Sequence, residues 1–258
     1  MAHVIDYKIL GDDMQAVVVS LDPGEAVHAE AGAMLYLEDG IAMDTGTQGG
    51  LLKGLKRAIV GESFFITTFE NKGGARVDAA FAAPYPGKII PIDLGADGVY
   101  LCQKDAYLCS AYGIDISIAF SKRLGAGLFG GEGFILQRLQ GDGLAFIHAG
   151  GTVLERVLKT GESLRVDTGC LVAFQESVDY DIQFIGGFKN SLFGGEGLFF
   201  AVLRGPGRVF LQTLPFSRLA DRVITASGLG PGGARDERRG IAGLGGSLLG
   251  GLISGDKS

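Results

Sequence analysis

Apolar and polar positions alternate along two stretches of this chain. Apolar side chains occupy every second position between Ile114 and Phe120, and the same alternation recurs between Val178 and Phe184. A period of two places one set of side chains on a single face of a β-strand, where it can be buried. No stretch before the C-terminal tail sustains the 3.6-residue period of a helix. The pattern predicts an all-β fold with low helix content.

Glycine-rich turn signals separate the predicted strands. They occur at Gly141–Gly143, Gly205–Gly207, Asp22–Gly24 and Asn71–Gly74. Glycine, proline, asparagine and aspartate supply the backbone conformations that tight turns require. Short strands at regular spacing favour a sandwich or a barrel over alternating strands and helices.

Two parts of the chain are copies of each other. Residues 114–148 align with residues 178–212 at a constant offset of 64, with 13 identities in 35 positions. Ordinary residue frequencies would give about two or three identities. The alignment therefore indicates a duplication.

A more diverged first copy precedes these two. Gly61–Phe64 matches Gly131–Phe134 at offset 70, and Leu21–Glu25 matches Leu158–Glu162 at offset 137. We expect one all-β domain, 1–217, built from three tandem repeats at about 4–80, 81–150 and 151–217. Units that cannot cover their own hydrophobic faces would close around a pseudo-threefold axis.

The shared glycines and glutamates are predicted to form equivalent corners of the repeats. Glycine pairs there permit positive φ or a close backbone approach. Each glutamate either satisfies backbone donors in its turn or contributes to a ring around the axis. The corner residues are Gly61, Glu62, Gly130, Gly131, Glu132, Gly194, Gly195 and Glu196.

Several of these motifs together resemble one protein family. The three-copy β pattern, the Phe-Gly-Gly-Glu-Gly stretches at 129–133 and 193–197, and the segment Ala29–Met34 are similar to the altered-inheritance-of-mitochondria family. The resemblance covers about residues 3–217. It implies a double-stranded β-helix fold similar to the tryptophan RNA-binding attenuator protein (TRAP-like). It transfers no catalytic residue, and its mitochondrial member implies a link to inner-membrane organisation.

Composition and charge further limit the function and the cellular compartment that the sequence predicts. The chain has 44 glycines in 258 residues, 47% hydrophobic residues and a net charge of −6. That content can bury a core, and the charge does not favour nucleic-acid binding. Three cysteines without a CxxC motif and the absence of a signal-peptide pattern predict a cytoplasmic protein.

Motifs for catalysis are weak. Gly125–Gly130 fits GxGxxG, but strand-forming residues follow it where a dinucleotide site requires a helix. No GxSxG motif is present, and no serine or cysteine has a context that indicates an activating base. We therefore predict no catalytic residue and no cofactor, and favour a self-associating interaction or scaffold protein.

A metal-dependent enzyme or a small-ligand-binding protein is the alternative. His28 and Glu30 stand two positions apart, so both would face the same side of a strand, and His148 could supply a third ligand. Position 28 aligns with Arg165 in the third repeat, so the repeats share no ligand set. A satisfied or an exposed histidine is the favoured interpretation, with no metal.

Two features could mediate peripheral membrane contact. Basic residues precede the predicted corners and would form a basic rim, consisting of Lys56, Arg57, Lys122, Arg123 and Lys189. Within the tail, 218–258, the apolar stretch 240–253 is long enough to lie on a bilayer and too short to cross it. A flexible or helical terminus without a partner is the competing interpretation of the tail.

Overall fold

The fold is known from a computed structural model, which describes residues 1–30, 32–44, 66–122, 134–185 and 198–227. The chain divides into two compact units, Met1–Pro215 and Phe216–Ser258. All the strands of the described residues belong to the first unit. Strands dominate, which confirms the all-β prediction.

Eighteen strands fall into three consecutive segments of six, preceded by one further strand, β1 (Asp6–Leu10). The first segment, residues 16–82, contains β2 (Ala16–Leu21), β3 (Ala26–Glu30), β4 (Met34–Leu37), β5 (Ile41–Asp44), β6 (Ile66–Asn71) and β7 (Val77–Ala82). The second segment, residues 87–150, contains β8 (Gly87–Asp93), β9 (Tyr100–Gln103), β10 (Tyr107–Ala111), β11 (Asp115–Lys122), β12 (Phe134–Gln140) and β13 (Leu144–Gly150). The third segment, residues 153–212, contains β14 (Val153–Leu158), β15 (Ser163–Asp167), β16 (Leu171–Gln175), β17 (Asp179–Ile185), β18 (Leu198–Arg204) and β19 (Gly207–Gln212).

Helical structure is sparse in the described residues. The short helix α1 (Leu94–Asp97) begins where the Asp93 carboxylate accepts two backbone N–H groups. Two 3₁₀ turns, Lys104–Ala106 and Thr168–Cys170, each precede a strand. The helix α2 (Phe216–Ala226) belongs to the second unit. No helix within the described ranges has the length and apolar content needed to cross a bilayer.

The same four antiparallel pairings occur in every segment. In the first segment β7 pairs with β2 and β4, and β6 pairs with β3 and β5. In the second, β13 pairs with β8 and β10, and β12 pairs with β9 and β11. In the third, β19 pairs with β14 and β16, and β18 pairs with β15 and β17. Strands in the same order along the chain thus make the same partners three times.

One turn shows how closely the first and third segments correspond. The Glu25 carboxylate accepts the backbone N–H of Asp22 at 2.8 Å, and the Glu162 carboxylate accepts that of Lys159 at 2.8 Å. The glycine before each glutamate has a positive φ, +87° and +83°. Glycine adopts this conformation without the steric cost of a side chain, so both turns depend on it.

Two junctions join neighbouring segments into larger sheets. Pairing of β3 with β10 makes a six-stranded sheet in the order β5-β6-β3-β10-β13-β8, and pairing of β9 with β16 makes another, β11-β12-β9-β16-β19-β14. The remaining strands form the sheets β1-β2-β7-β4 and β15-β18-β17. A closed ring of three units would also pair β15 with β4, and these strands are not paired among the described residues. Closure and pseudo-threefold symmetry therefore stay predictions.

The predicted alternation in β11 is correct over its first half only. Ile114 and Ile116 are buried, whereas Ile118 is exposed. The pairing register with β12 shifts between Ile118 and Phe120. A bulge of this kind inserts an extra residue and interrupts the period of two, so the apolar pattern no longer marks a single face.

Candidate interaction surface

Most residues predicted to form the repeat corners and the basic rim lie outside the described part of the chain. Lys122 is the last residue of β11 and stands directly before an undescribed stretch. The others outside the described ranges are Lys56, Arg57, Gly61, Glu62, Arg123, Gly130, Gly131, Glu132, Lys189, Gly194, Gly195 and Glu196. The apolar tail stretch 240–253 lies outside them too.

His28 is a buried residue of β3. Its Nδ1 shares a hydrogen bond with the Thr68 hydroxyl at 3.1 Å, and its ring lies 4.8 Å from that of Tyr112. Burial, with a smaller contribution from the nearby His3, lowers the pKa of His28 to about 4. The imidazole is therefore neutral at physiological pH and is part of the core.

His148 is a second buried imidazole, on β13. It packs edge-on against Tyr85, with ring centroids 4.6 Å apart. Burial lowers its pKa to about 4. Its Nδ1 is buried and has no hydrogen-bond partner among the described residues. Such an atom is costly to leave unsatisfied, and no pattern in the sequence indicates it.

The three candidate metal ligands are not brought together. His28 lies opposite Ser110, which lies opposite Ala145 on β13. His148 is three residues beyond Ala145, so the strand alternation directs it to the other face of this sheet. Among the described residues no three histidine, cysteine or acidic side chains form a group that could hold a metal ion.

Glu30 is the one candidate ligand with a pKa near neutrality. Burial raises its pKa to about 7, the negative charge of Asp105 adds to the increase, and the nearby Lys104 opposes it. Glu30 therefore changes charge close to physiological pH. A partly buried carboxyl of this kind is a common feature of binding sites.

Two of the described thiols are not activated. Cys102 and Cys109 are buried free thiols, and burial raises the pKa of both. Only the thiolate is nucleophilic, so neither thiol is suited to covalent catalysis. Cys170 is half-buried and forms no disulfide among the described residues.

An exposed apolar strand is the least expected surface feature. In β4, Met34 is 41% exposed, Leu35 58% and Tyr36 42%. This strand pairs with β7 on one edge and, among the described residues, with no strand on the other. An unpaired edge presents backbone donors and acceptors to any strand that approaches it. Apolar side chains beside such an edge add a hydrophobic contribution to pairing.

The equivalent strands show that this exposure is unusual. The strands β4, β10 and β16 each carry a register shift at their second residue, where Leu35, Leu108 and Val172 stand. Leu108 is 2% exposed and Val172 is fully buried. Both β10 and β16 have a second partner strand, β3 and β9. Leu35 is thus exposed on the strand that, among the described residues, lacks a second partner.

The strand β15 supplies the complementary edge. It occupies the same place in the third segment as β3 and β9 do in theirs. Within the described residues, positions 164–166 pair only with β18. We call the edges of β4 and β15 together the open junction.

A repeated apolar run in the sequence marks β4 and its two counterparts, and the sequence-based predictions did not use it. Apolar runs occur at 34–37, 107–111 and 171–174, in corresponding places of the three segments. Such runs are typical of strands covered by neighbours. All three runs are mainly apolar, so their hydrophobicity alone does not distinguish the exposed run from the two buried ones.

The similarity of this chain to other proteins extends over nearly the whole first unit. A sequence family described as mitochondrial biogenesis AIM24 matches residues 7–214. An uncharacterised protein of Streptococcus pyogenes serotype M6 is 29% identical over 215 residues, which covers 79% of this chain and 83% of that protein. A crystal structure of a protein from Streptococcus pyogenes is similar with a TM-score of 0.70 and 25% identity, covering 86% of this chain and 99% of the other.

Proposed function

The chain belongs to the mitochondrial biogenesis AIM24 family, and from that premise we propose that it is a non-enzymatic interaction or scaffold protein that associates with copies of itself. The exposed apolar strand β4, in a position where β10 and β16 are covered, is the observation that carries this proposal. Soluble proteins usually blunt such edges with charge, proline or a covering element. An edge left apolar favours pairing with another chain.

The proposed body consists of three units arranged about a pseudo-threefold axis, of the double-stranded β-helix or TRAP-like type that the family resemblance implies, with the junction between the third unit and the first left open in the single chain. Three observations support equivalent units. The same four pairings occur in each segment, the same register shift occurs in β4, β10 and β16, and the glutamate turn occurs before both β3 and β15. We place the protein in the cytoplasm, because Cys102 and Cys109 are free thiols and reduced thiols are typical of that compartment.

Sedimentation velocity of the full chain over a wide concentration range tests self-association. We expect a species heavier than one chain of 26.9 kDa, whose fraction increases with concentration. A single chain at every concentration would contradict the proposal. Crosslinking and mass spectrometry of native complexes from cells would identify other partners of the scaffold.

A membrane link, which the family resemblance implies, is a separate proposal. Anionic vesicles would be contacted by the basic rim or by the stretch 240–253. Flotation with vesicles tests it, comparing the full chain with a chain lacking residues 229–258 and with Lys122→Glu. If the full chain does not bind vesicles, or if both variants bind like the full chain, neither Lys122 nor the tail mediates membrane contact and this proposal is wrong.

A small-ligand or metal-dependent function is the second candidate. It is favoured by the Nδ1 of buried His148, which has no hydrogen-bond partner within the described part of the chain, and by the near-neutral pKa of Glu30. Elemental analysis of the purified protein distinguishes the two candidates. A stoichiometric transition metal that is lost in His148→Gln would favour a metal-dependent function. Absence of such a metal would favour the scaffold function.

A further inference from the structure

We propose that β4 of one copy pairs antiparallel with β15 of a second copy, with Tyr36 directly opposite Val166. This inference rests on the proposed self-association and names the surface that it uses. The partner is a second copy of this chain, because the two junctions already formed within the chain display the same type of pairing between equivalent strands.

The two formed junctions define the register. At the first, Ala29 of β3 lies opposite Cys109 of β10. At the second, Cys102 of β9 lies opposite Ala173 of β16. Both junctions are antiparallel and three residue pairs long. The strand that donates its edge is in each case the second of its segment, and the acceptor is the third strand of the next segment.

The bulge fixes which residue of β4 corresponds to Cys109 and Ala173. In β10 and β16 these are the first paired residues after the register shift. In β4 that residue is Tyr36. The acceptor side of the open junction is therefore centred on Tyr36.

The partner strands fix the donor residue in the same way. Ala29 lies opposite Thr67 on β6, and Cys102 lies opposite Gln137 on β12. The sequence offsets of 70 and 64 carry position 67 to 137 and then to 201. Ala201 on β18 lies opposite Val166. At the open junction the corresponding pair is therefore Val166 with Tyr36, and the next pair is Arg165 with Leu37.

Side-chain size explains why this pair is left for another chain. The pairs at the two formed junctions, Ala29 with Cys109 and Cys102 with Ala173, are small and fully buried. Tyr36 and Val166 are larger, and inserting extra volume into a well-packed core is destabilising. Within one chain, the two formed junctions would determine the distance between β4 and β15. Between two chains the strands are free to adopt the spacing that the larger side chains need.

Charge favours the same pairing. Arg165 is exposed on β15, and the exposed acidic residues Glu38 and Asp39 directly follow β4. The proposed register places Arg165 opposite Leu37, next to these carboxylates. Complementary charges across an interface favour the correct register and disfavour others. Because β4 and β15 are different surfaces, the contact is head-to-tail and builds a ring or a filament.

Cysteine crosslinking between chains tests the register. Tyr36→Cys and Val166→Cys are made separately on a Cys170→Ser background, since the other two native thiols are buried. One variant is isotopically labelled, the two are mixed and oxidised, and the mass of each crosslinked dimer is measured. Directly opposite residues bring their Cβ atoms to about 4.5–5.5 Å, so we expect dimers of one labelled and one unlabelled chain. Either variant alone should give only background crosslinking.

A matched control uses an exposed leucine on another edge strand. Leu154 of β14 is exposed, and Tyr36→Cys mixed with Leu154→Cys should not crosslink above background. If Val166→Cys does not fold, the neighbouring pair Leu37→Cys and Arg165→Cys replaces it. Equal crosslinking in the control mixture would overturn the register.

Other outcomes separate this inference from the proposed function. An intramolecular disulfide in a single chain carrying both Tyr36→Cys and Val166→Cys, at high dilution, would show that the junction closes within one chain. A wild-type oligomer without the Tyr36–Val166 crosslink would overturn this pairing and leave self-association standing. A wild-type monomer at all concentrations would overturn both.

Discussion

Truncating Leu35 to alanine separates the contribution of β4 to association from its contribution to folding. Leu35 is 58% exposed in the single chain, so the isolated fold gains little from its side chain. Its counterparts on β10 and β16, Leu108 and Val172, are buried, and we expect a partner strand at the open junction to cover Leu35 as well. We therefore expect Leu35→Ala to weaken association and leave the unfolding free energy of the monomer nearly unchanged.

The size of the effect follows from the exposed fraction. Burying a whole leucine side chain contributes about 1.5–3 kcal/mol, so covering this fraction contributes about 1–2 kcal/mol per junction. The loss corresponds to a dissociation constant about 5- to 30-fold weaker. By contrast, Leu108→Ala removes a buried side chain and should lower the unfolding free energy by about 2–5 kcal/mol.

Sedimentation equilibrium measures the dissociation constant, and urea unfolding monitored by circular dichroism measures stability. Leu154→Ala on β14 is the matched control, since Leu154 is exposed to a similar extent, 50%, and lies away from the open junction. We expect the control to associate like the wild type. If Leu35→Ala associates as tightly as the wild type, or if Leu154→Ala weakens association equally, the reasoning about β4 is wrong.

Further predictions concern stability measured by urea unfolding. Folded Glu30 keeps its proton up to about pH 7, whereas the unfolded chain loses it near 4.5, so the wild type loses stability as pH rises through this window and Glu30→Gln does not. Folded His148 stays neutral down to about pH 4, against 6.5 in the unfolded chain, so stability falls as pH drops from 6.5 to 4, and His148→Gln should lose less than the wild type. Gly24→Ala and Gly161→Ala should each cost about 1–2 kcal/mol, because both positions have positive φ and open space; a clear difference between them would contradict equivalent turns. Asn71→Ala should cost about 2–3 kcal/mol, because this fully buried amide bonds three backbone groups; an unchanged midpoint would contradict that role.

Local sequence features predicted most strands and turns. Neighbouring residues alone indicated the strand that begins after Ile114 and the turns at Gly141–Gly143 and Gly205–Gly207. The prediction failed at Ile118, where a register shift against β12 interrupts the alternation. A bulge depends on the partner strand, and the partner is not visible in the local pattern.

The candidate metal ligands illustrate a second limit. His28 and Glu30 do share one strand, as their spacing indicated. The position of His148 relative to them depends on the order β3-β10-β13 and on the register at each pairing. Spacing along the chain does not determine that order, so the sequence could name three ligand types without showing that they stay apart.

By itself, the amino-acid sequence determined that this chain is β-rich and where many of its turns occur, and it predicted a duplication between residues 114–148 and 178–212. These properties follow from residue type and spacing. Only the tertiary structure decided which apolar strand is exposed. The runs at 34–37, 107–111 and 171–174 are all mainly apolar. The strand β3 pairs with the second run and β9 pairs with the third, while β4 has no second partner strand among the described residues. Burial is a property of neighbours that are distant in the chain, and for that reason it could not be obtained from the strand's own residues.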